Sequence, residues 1–161
     1  MKRYARFMTI SGVRTYIWLD NEALEAAEFY TSIFPESQIT SIDYYKDHPL
    51  KPAGSVLTVE FEIFGQPFAT LNGGTQFTHS EAVSFQVFGE TQEEIDYLWN
   101  AITSNGGSES QCGWCKDKFG VSWQVIPTEL QTLLTHPDEN ISTKAWTSMM
   151  EMSKIVIADL Y

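Results

Sequence analysis

The sequence predicts an α+β fold: two β-α-β-β-β modules forming a cupped sheet, with C-terminal helices. Two internal matches and a repeated change of periodicity support this. Residues 15–34 (TYIWLDNEALEAAEFYTSIF) align without a gap on residues 83–102 (VSFQVFGETQEEIDYLWNAI), 68 positions later. Residues 64–72 (FGQPFATLN) match residues 119–127 (FGVSWQVIP) in the same way. In each copy the apolar period is first two, at Ile17/Phe85 and Leu19/Val87. It then becomes helical at Ala27/Ile95, Tyr30/Leu98 and Ile33/Ala101. Each copy thus reads as a strand, a short turn and a helix packed back on the sheet. The expectation is two modules sharing one sheet.

Residues 1–11 are read as a ragged basic extension, 12–74 as module one, 82–127 as module two and 128–161 as helices. Val13–Leu19 is the first strand. Asp20 or Asn21 can cap the following helix, with Glu22 and Glu25 in a first turn that favours anions. Pro35 stops that helix at Phe34, because the residue before proline avoids helical geometry. Ser37–Tyr45 alternates weakly as a strand, and residues 46–54 (KDHPLKPAG) form a loop or flap. Ser55–Phe64 and Gln66–Leu71 make a hairpin, with Leu57, Val59, Phe61 and Ile63 on one side and Thr58, Glu60 and Glu62 on the other.

A polar connection, 72–80, leads to the strand 82–88. Thr91 and Glu94 form a capping box, and Asn105-Gly106-Gly107 ends the second helix. Gly113–Lys116 and Val121–Ile126 are the last strands, and Pro127 stops the sheet. Helical segments follow over Thr128–Thr135, Asp138–Met152 and Lys154–Leu160. Trp146, Met149 and Met152 share a face suited to packing, within the chain or across a dimer.

Composition narrows the function classes. The 161 residues are 43% hydrophobic and 14% aromatic, ample for a packed core. Formal charge is −11, and residues 15–161 alone hold six basic against twenty-one acidic side chains. Such a surface repels phosphate backbones, which argues against nucleic-acid partners. No apolar run is long enough to cross a membrane. Two cysteines in an acidic chain without an apolar leader point to the cytoplasm.

Four motifs in order carry a family resemblance: IWLDNEALEAAEFY at 17–30, LNGG at 71–74, AVSFQV at 82–87 and QCGWCKDKFGVSWQ at 111–124. Over residues 12–152 the chain resembles the PhnB-like branch of the glyoxalase, bleomycin-resistance and extradiol-dioxygenase (vicinal oxygen chelate) superfamily. The resemblance implies a cup in each module and a homodimer. Members of this branch are sometimes labelled ubiquinone-pathway methyltransferases. This chain has no glycine-rich strand-to-helix turn of the kind that holds a nucleoside cofactor.

Metal-dependent relatives, the resemblance implies, place one ligand on the first and one on the last strand of each module. Here those strands offer Arg14 or Thr15, Ala82 or Val83, and Ala69, Thr70 or Leu71, with Gln124 the single credible donor. The expectation is therefore no divalent metal and no cofactor. His48, His79 and His136 read as loop histidines. Cys112-Gly113-Trp114-Cys115 leads into a hairpin, not a helix N-terminus, so it lacks the usual activation of a redox pair. Asp117-Lys118 reads as turn chemistry.

What remains is a wall of polar and aromatic side chains. Strand alternation sends Tyr16, Trp18, Ser84 and Gln86 to the concave side, with Gln124 and Ser122, while Trp114 and Asn72 close the ends. Such a wall suits a small, partly flat ligand gripped by stacking and amide hydrogen bonds. Two other readings stay open. One is a metal-dependent lyase, isomerase or dioxygenase using His48, His79, Glu60 and Gln124. The other is a structural or regulatory dimer with a vestigial, side-chain-filled cup; for Trp18, Trp114 and Trp123 the plainer reading is that they fill the core.

Overall fold

A computed structural model of the chain describes residues 11–49 and 51–161, so residues 1–10 of the expected extension lie outside it. The chain divides into two compact units between Phe77 and Thr78. Each unit has its own four-stranded mixed sheet, so the expected shared sheet is replaced by two of the same topology. In each, the first strand pairs in parallel with the last, which places it at one edge of the sheet.

The first unit runs β1 (Thr15–Leu19), α1 (Ala23–Ile33), β2 (Ser37–Tyr44), β3 (Val56–Ile63) and β4 (Gln66–Asn72), with strand order β1-β4-β3-β2. The second runs β5 (Phe85–Gly89), α2 (Gln92–Thr103), β6 (Ser108–Glu109), β7 (Trp114–Lys116) and β8 (Ser122–Pro127), ordered β5-β8-β7-β6. Then come α3 (Leu130–Leu134), α4 (Glu139–Glu151) and a 3-10 turn at Ile157–Leu160. The two-residue β6 has no apolar alternation to announce it.

The repeat is real, but its offset is not 68. Leu19 pairs with Asn72, and Gly89 with Pro127. Aligning these pairs matches β1 to β5 at an offset of 70 and β4 to β8 at 55. The shift of two residues keeps every side chain on the same face, because strand periodicity is two. Partners change, however: Tyr16 corresponds to Gln86, Trp18 to Phe88 and Arg14 to Ser84. The helices match at 69, since buried Ala26, Tyr30 and Ile33 correspond to Ile95, Trp99 and Ile102. The second strand-to-helix turn is one residue shorter.

Helix α1 buries Ala23, Ala26, Ala27, Tyr30 and Ile33 at three- and four-residue spacing. Neither Asp20 nor Asn21 caps it. The Ala23 backbone N–H instead donates to Asn72 Oδ1 at 2.8 Å, and Asn72 Nδ2 donates to the Val56 carbonyl at 3.0 Å. One buried amide thus satisfies a helix start and a sheet carbonyl together. In the core, Phe61 stacks with both Tyr30 and Phe68, at centroid distances of 5.8 and 5.5 Å. Helix α2 does start on the expected capping box. Glu94 N–H donates to Thr91 Oγ1, and Glu94 Oε2 accepts from the Thr91 N–H.

The C-terminal tail is tied to the second sheet. The N–H groups of Cys112 and Gly113 donate to the carbonyls of Met152 and Ser153 at 2.7 and 2.8 Å. Gln92 clamps the tail further on, donating to the Ile155 carbonyl and accepting from the Ile157 N–H. Met149 is buried in the cluster this creates, with Leu130, Leu133, Ala145 and Leu160. Trp146 is 49% exposed, so the expected packing face is only half used within the chain.

The glycine pair of LNGG has a packing reason. A Cβ at Gly73 would overlap the Trp18 indole, whose Nε1–H donates to the Gly74 carbonyl at 2.7 Å. The same ring meets Phe77 edge-on at 4.9 Å. Gly73→Ala should therefore destabilise the chain by about 1–3 kcal/mol through overpacking. Urea unfolding followed by tryptophan fluorescence reads this; an unchanged midpoint would mean Trp18 is not seated there.

Candidate functional site

The polar residues expected on the concave side of module two do converge. Registers place Gln86 opposite Gln124 and Gln124 opposite Trp114, one row across β5, β8 and β7. Gln86 Nε2 donates to Gln124 Oε1 at 3.2 Å, and Gln124 Nε2 donates to Ser84 Oγ at 2.8 Å. Opposite faces of the same strands carry buried Trp123 and Val125, with Phe85 against Trp123 at 5.3 Å.

That row lines a pocket of about 370 Å³ within the second unit. Gln86, Phe88, Trp114, Gln124 and Ile126 come from the sheet. Leu130, Gln131 and Leu134 from α3 and Met149 from α4 line it too, with Cys112, Pro127 and Thr128 completing the wall. Sequence reasoning missed the helical side. Its one trace was the Met149 stripe, which serves the core cluster and the pocket together. Phe88 was overlooked because the 68-residue offset matched Trp18 to Gln86.

Of the remaining expected residues, Tyr16, Trp18 and Asn72 belong to the first unit and Ser122 to the second. Tyr16 is 55% exposed on β1. Trp18 packs on Gly73, Gly74 and Phe77, as above. The Asn72 amide is engaged by Ala23 and Val56, and it borders a different cavity beside α1, with Asn21, Glu25, Lys51 and Pro52. There Lys51 Nζ donates to Asn21 Oδ1 at 2.6 Å. Ser122 is buried, and its hydroxyl has no hydrogen-bond partner among the described residues.

The β7–β8 turn rests on Asp117, which does more than ordinary turn chemistry. Asp117 is buried; its Oδ1 accepts from the N–H groups of Phe119 and Val121 at 2.9 and 3.0 Å. Its Oδ2 accepts from Trp123 Nε1 at 2.8 Å. Three donors around one carboxylate hold the hairpin in the register that builds the polar row.

The donor set does not fit a divalent cation. The four positions related by the repeat are Arg14, Ala69, Ser84 and Gln124: a guanidinium, a methyl, a hydroxyl and an amide. Arg14 is ion-paired with Glu60. His48 lies against Tyr45 at 5.0 Å, in the loop where it was expected. Among the described residues no three His, Cys, Asp or Glu side chains gather in a group that could hold a metal. A nucleoside cofactor fares no better at the strand-to-helix turns. Asn72 takes the first N–H of α1, and the Thr91–Glu94 box closes the start of α2.

Residues 11–126 match the family described as 3-demethylubiquinone-9 3-methyltransferase. The chain belongs to this family. A PhnB protein from Bacillus cereus, described as a candidate 3-demethylubiquinone-9 3-methyltransferase, is 32% identical. That match covers 73% of this chain and all of the other, with a TM-score of 0.66. Protein PA1353 from Pseudomonas aeruginosa shares the fold at 17% identity and a TM-score of 0.59, over 73% of this chain and 98% of its own. FosX, a fosfomycin resistance protein from Listeria monocytogenes, does so at 16% and 0.51, over 73% and 93%. No curated protein matches. The PhnB-like assignment and its superfamily fold thus stand, with no reaction attached.

The two cysteines are free, and their environments differ. Burial, then the carboxylates of Asp117 and Glu109, push the Cys115 thiol up to about 12. Cys112 is half-buried on the pocket wall, with its Sγ 3.6 Å from Met150 Sδ. At about pH 8 a thiol reagent should label Cys112 alone, and both cysteines after unfolding. Rapid native labelling of both would contradict the buried placement. Because the folded thiol stays neutral, its stabilising contribution is full below the ordinary value of 9.0 and is lost as pH rises through about 12.

Proposed function

We propose that this PhnB-like chain is a cytoplasmic, homodimeric small-molecule-binding protein whose ligand sits in the second-unit pocket and is held without a divalent metal. The observation that carries this is the hydrogen-bonded row of Gln86, Gln124 and Ser84, whose two glutamines line a pocket walled mainly by Trp114, Phe88 and apolar groups, with Thr128 and Gln131 as further polar lining. Binding sites for small molecules are typically apolar concavities with a few fixed polar groups. Stacking on Trp114 and hydrogen bonding to the glutamines would set the orientation of the ligand. Cytoplasmic placement is supported by cysteine usage and acidic charge. The homodimer is supported by large apolar side chains left exposed, including Phe64, Phe77, Val83 and Tyr97.

A fragment screen by thermal shift tests the reading, on samples whose dimer mass is checked by ultracentrifugation. Hits should raise the melting temperature, slow the labelling of Cys112 and lose about tenfold in affinity, or roughly 1.4 kcal/mol, in Gln124→Ala or Trp114→Ala. If no fragment shifts the transition, or if hits bind both variants as well as the native chain, the pocket is not the site.

A further inference from the structure

We infer that the occupant of this pocket is an uncharged, planar molecule presenting a carbonyl and an N–H side by side, as in a lactam or an aromatic carboxamide. The inference rests on the ligand-binding reading above. Among the described residues, no Asp, Glu, Lys, Arg or His lines the pocket. A charged group entering it would therefore lose hydration without gaining an ionic partner. Anions are disfavoured further, because residues 78–161 carry twelve carboxylates against four lysines.

The hydrogen-bonding edge follows from the amide row. A primary amide offers two N–H donors and one carbonyl with two lone pairs. Gln86 uses one N–H on Gln124, which leaves its carbonyl and a second N–H. Gln124 receives that bond and uses one N–H on Ser84, leaving a second N–H of its own. The row therefore presents acceptor and donor together. A carboxylate supplies acceptors only: it could take the two spare glutamine N–H groups, but it would leave the Gln86 carbonyl without a donor and its own charge without a cation. An amidinium supplies donors only and would leave the glutamine N–H groups unmatched. A neutral amide edge satisfies both. Trp114 and Phe88 provide aromatic surface, and a pocket of about 370 Å³ is near the small end of ligand sites. One or two fused rings match that size.

Isothermal titration with an isosteric set tests this: 2-naphthamide, 2-naphthoate and 2-naphthamidine at about pH 7, where the last two are charged. The site is reported independently by protection of Cys112 from labelling. The amide should bind about tenfold or more tighter than either charged analogue and should protect Cys112. Gln86→Leu and Gln124→Leu should each weaken it about fivefold or more, with circular dichroism confirming the fold. If the naphthoate or the naphthamidine binds as tightly and protects Cys112, the ligand class is wrong and the pocket stands. The class is equally wrong, and the pocket intact, if all three fail while chemically different screening hits protect Cys112. Failure of every compound in both sets overturns the class and the site together.

Discussion

A single buried carboxylate sets the geometry on which the pocket depends. Asp117 gathers two backbone N–H groups of its own turn and the indole N–H of Trp123. Burying a carboxylate is favourable only where several donors replace its water, and this turn supplies them. In return the turn has one conformation, and the β7–β8 register is fixed at Trp114 opposite Gln124. A slip of one residue would turn Gln124 toward the helix and Trp123 outward. The run KDKFGVSWQ is thus a structural unit whose product is the side chain two residues past its serine.

The two modules share a topology and use their open faces differently. In the first, that face carries the Arg14–Glu60 ion pair and an indole seated over Gly73. In the second, Ser84 stands at the Arg14 position and Phe88 at the Trp18 position, while Gln86 and Gln124, at the positions of Tyr16 and Ala69, link with Ser84 in a row, and the C-terminal segment supplies helices. The repeats share the parallel pairing of first strand with last, while their chemistry differs. Membership in a family described by a methyltransferase name does not transfer that activity. Both helix starts are already capped by the chain's own side chains, and fold alone fixes no reaction.

Much of this architecture was legible in the chain because it depends on local periodicity and local caps. The Thr91–Glu94 box, the stop at Pro35 and the alternation of Val59, Phe61 and Ile63 involve neighbours in sequence. The faces of β1, β5 and β8 were likewise readable, since alternation fixes them without reference to partners. The α1 cap was not, because its acceptor sits on β4 at Asn72, 49 positions away. The repeat offset was misread by two because the alternating pattern fits equally well at either position. The helical wall of the pocket was invisible for a different reason. Leu130, Leu134 and Met149 look like ordinary core residues until the tail is seen tied back to Cys112 and Gly113.

The polar row is the claim from which the site, its ligand and its charge all descend. Side-chain amide NMR of the free protein tests it most directly, through the resolved Nε protons of Gln86 and Gln124. Overhauser contacts are expected from Gln124 Nε–H to Ser84, Gln86 and Trp114. Contacts from that amide to the α2 residues Trp99 or Ile102 would contradict the row, for they would put Gln124 on the opposite face of the sheet.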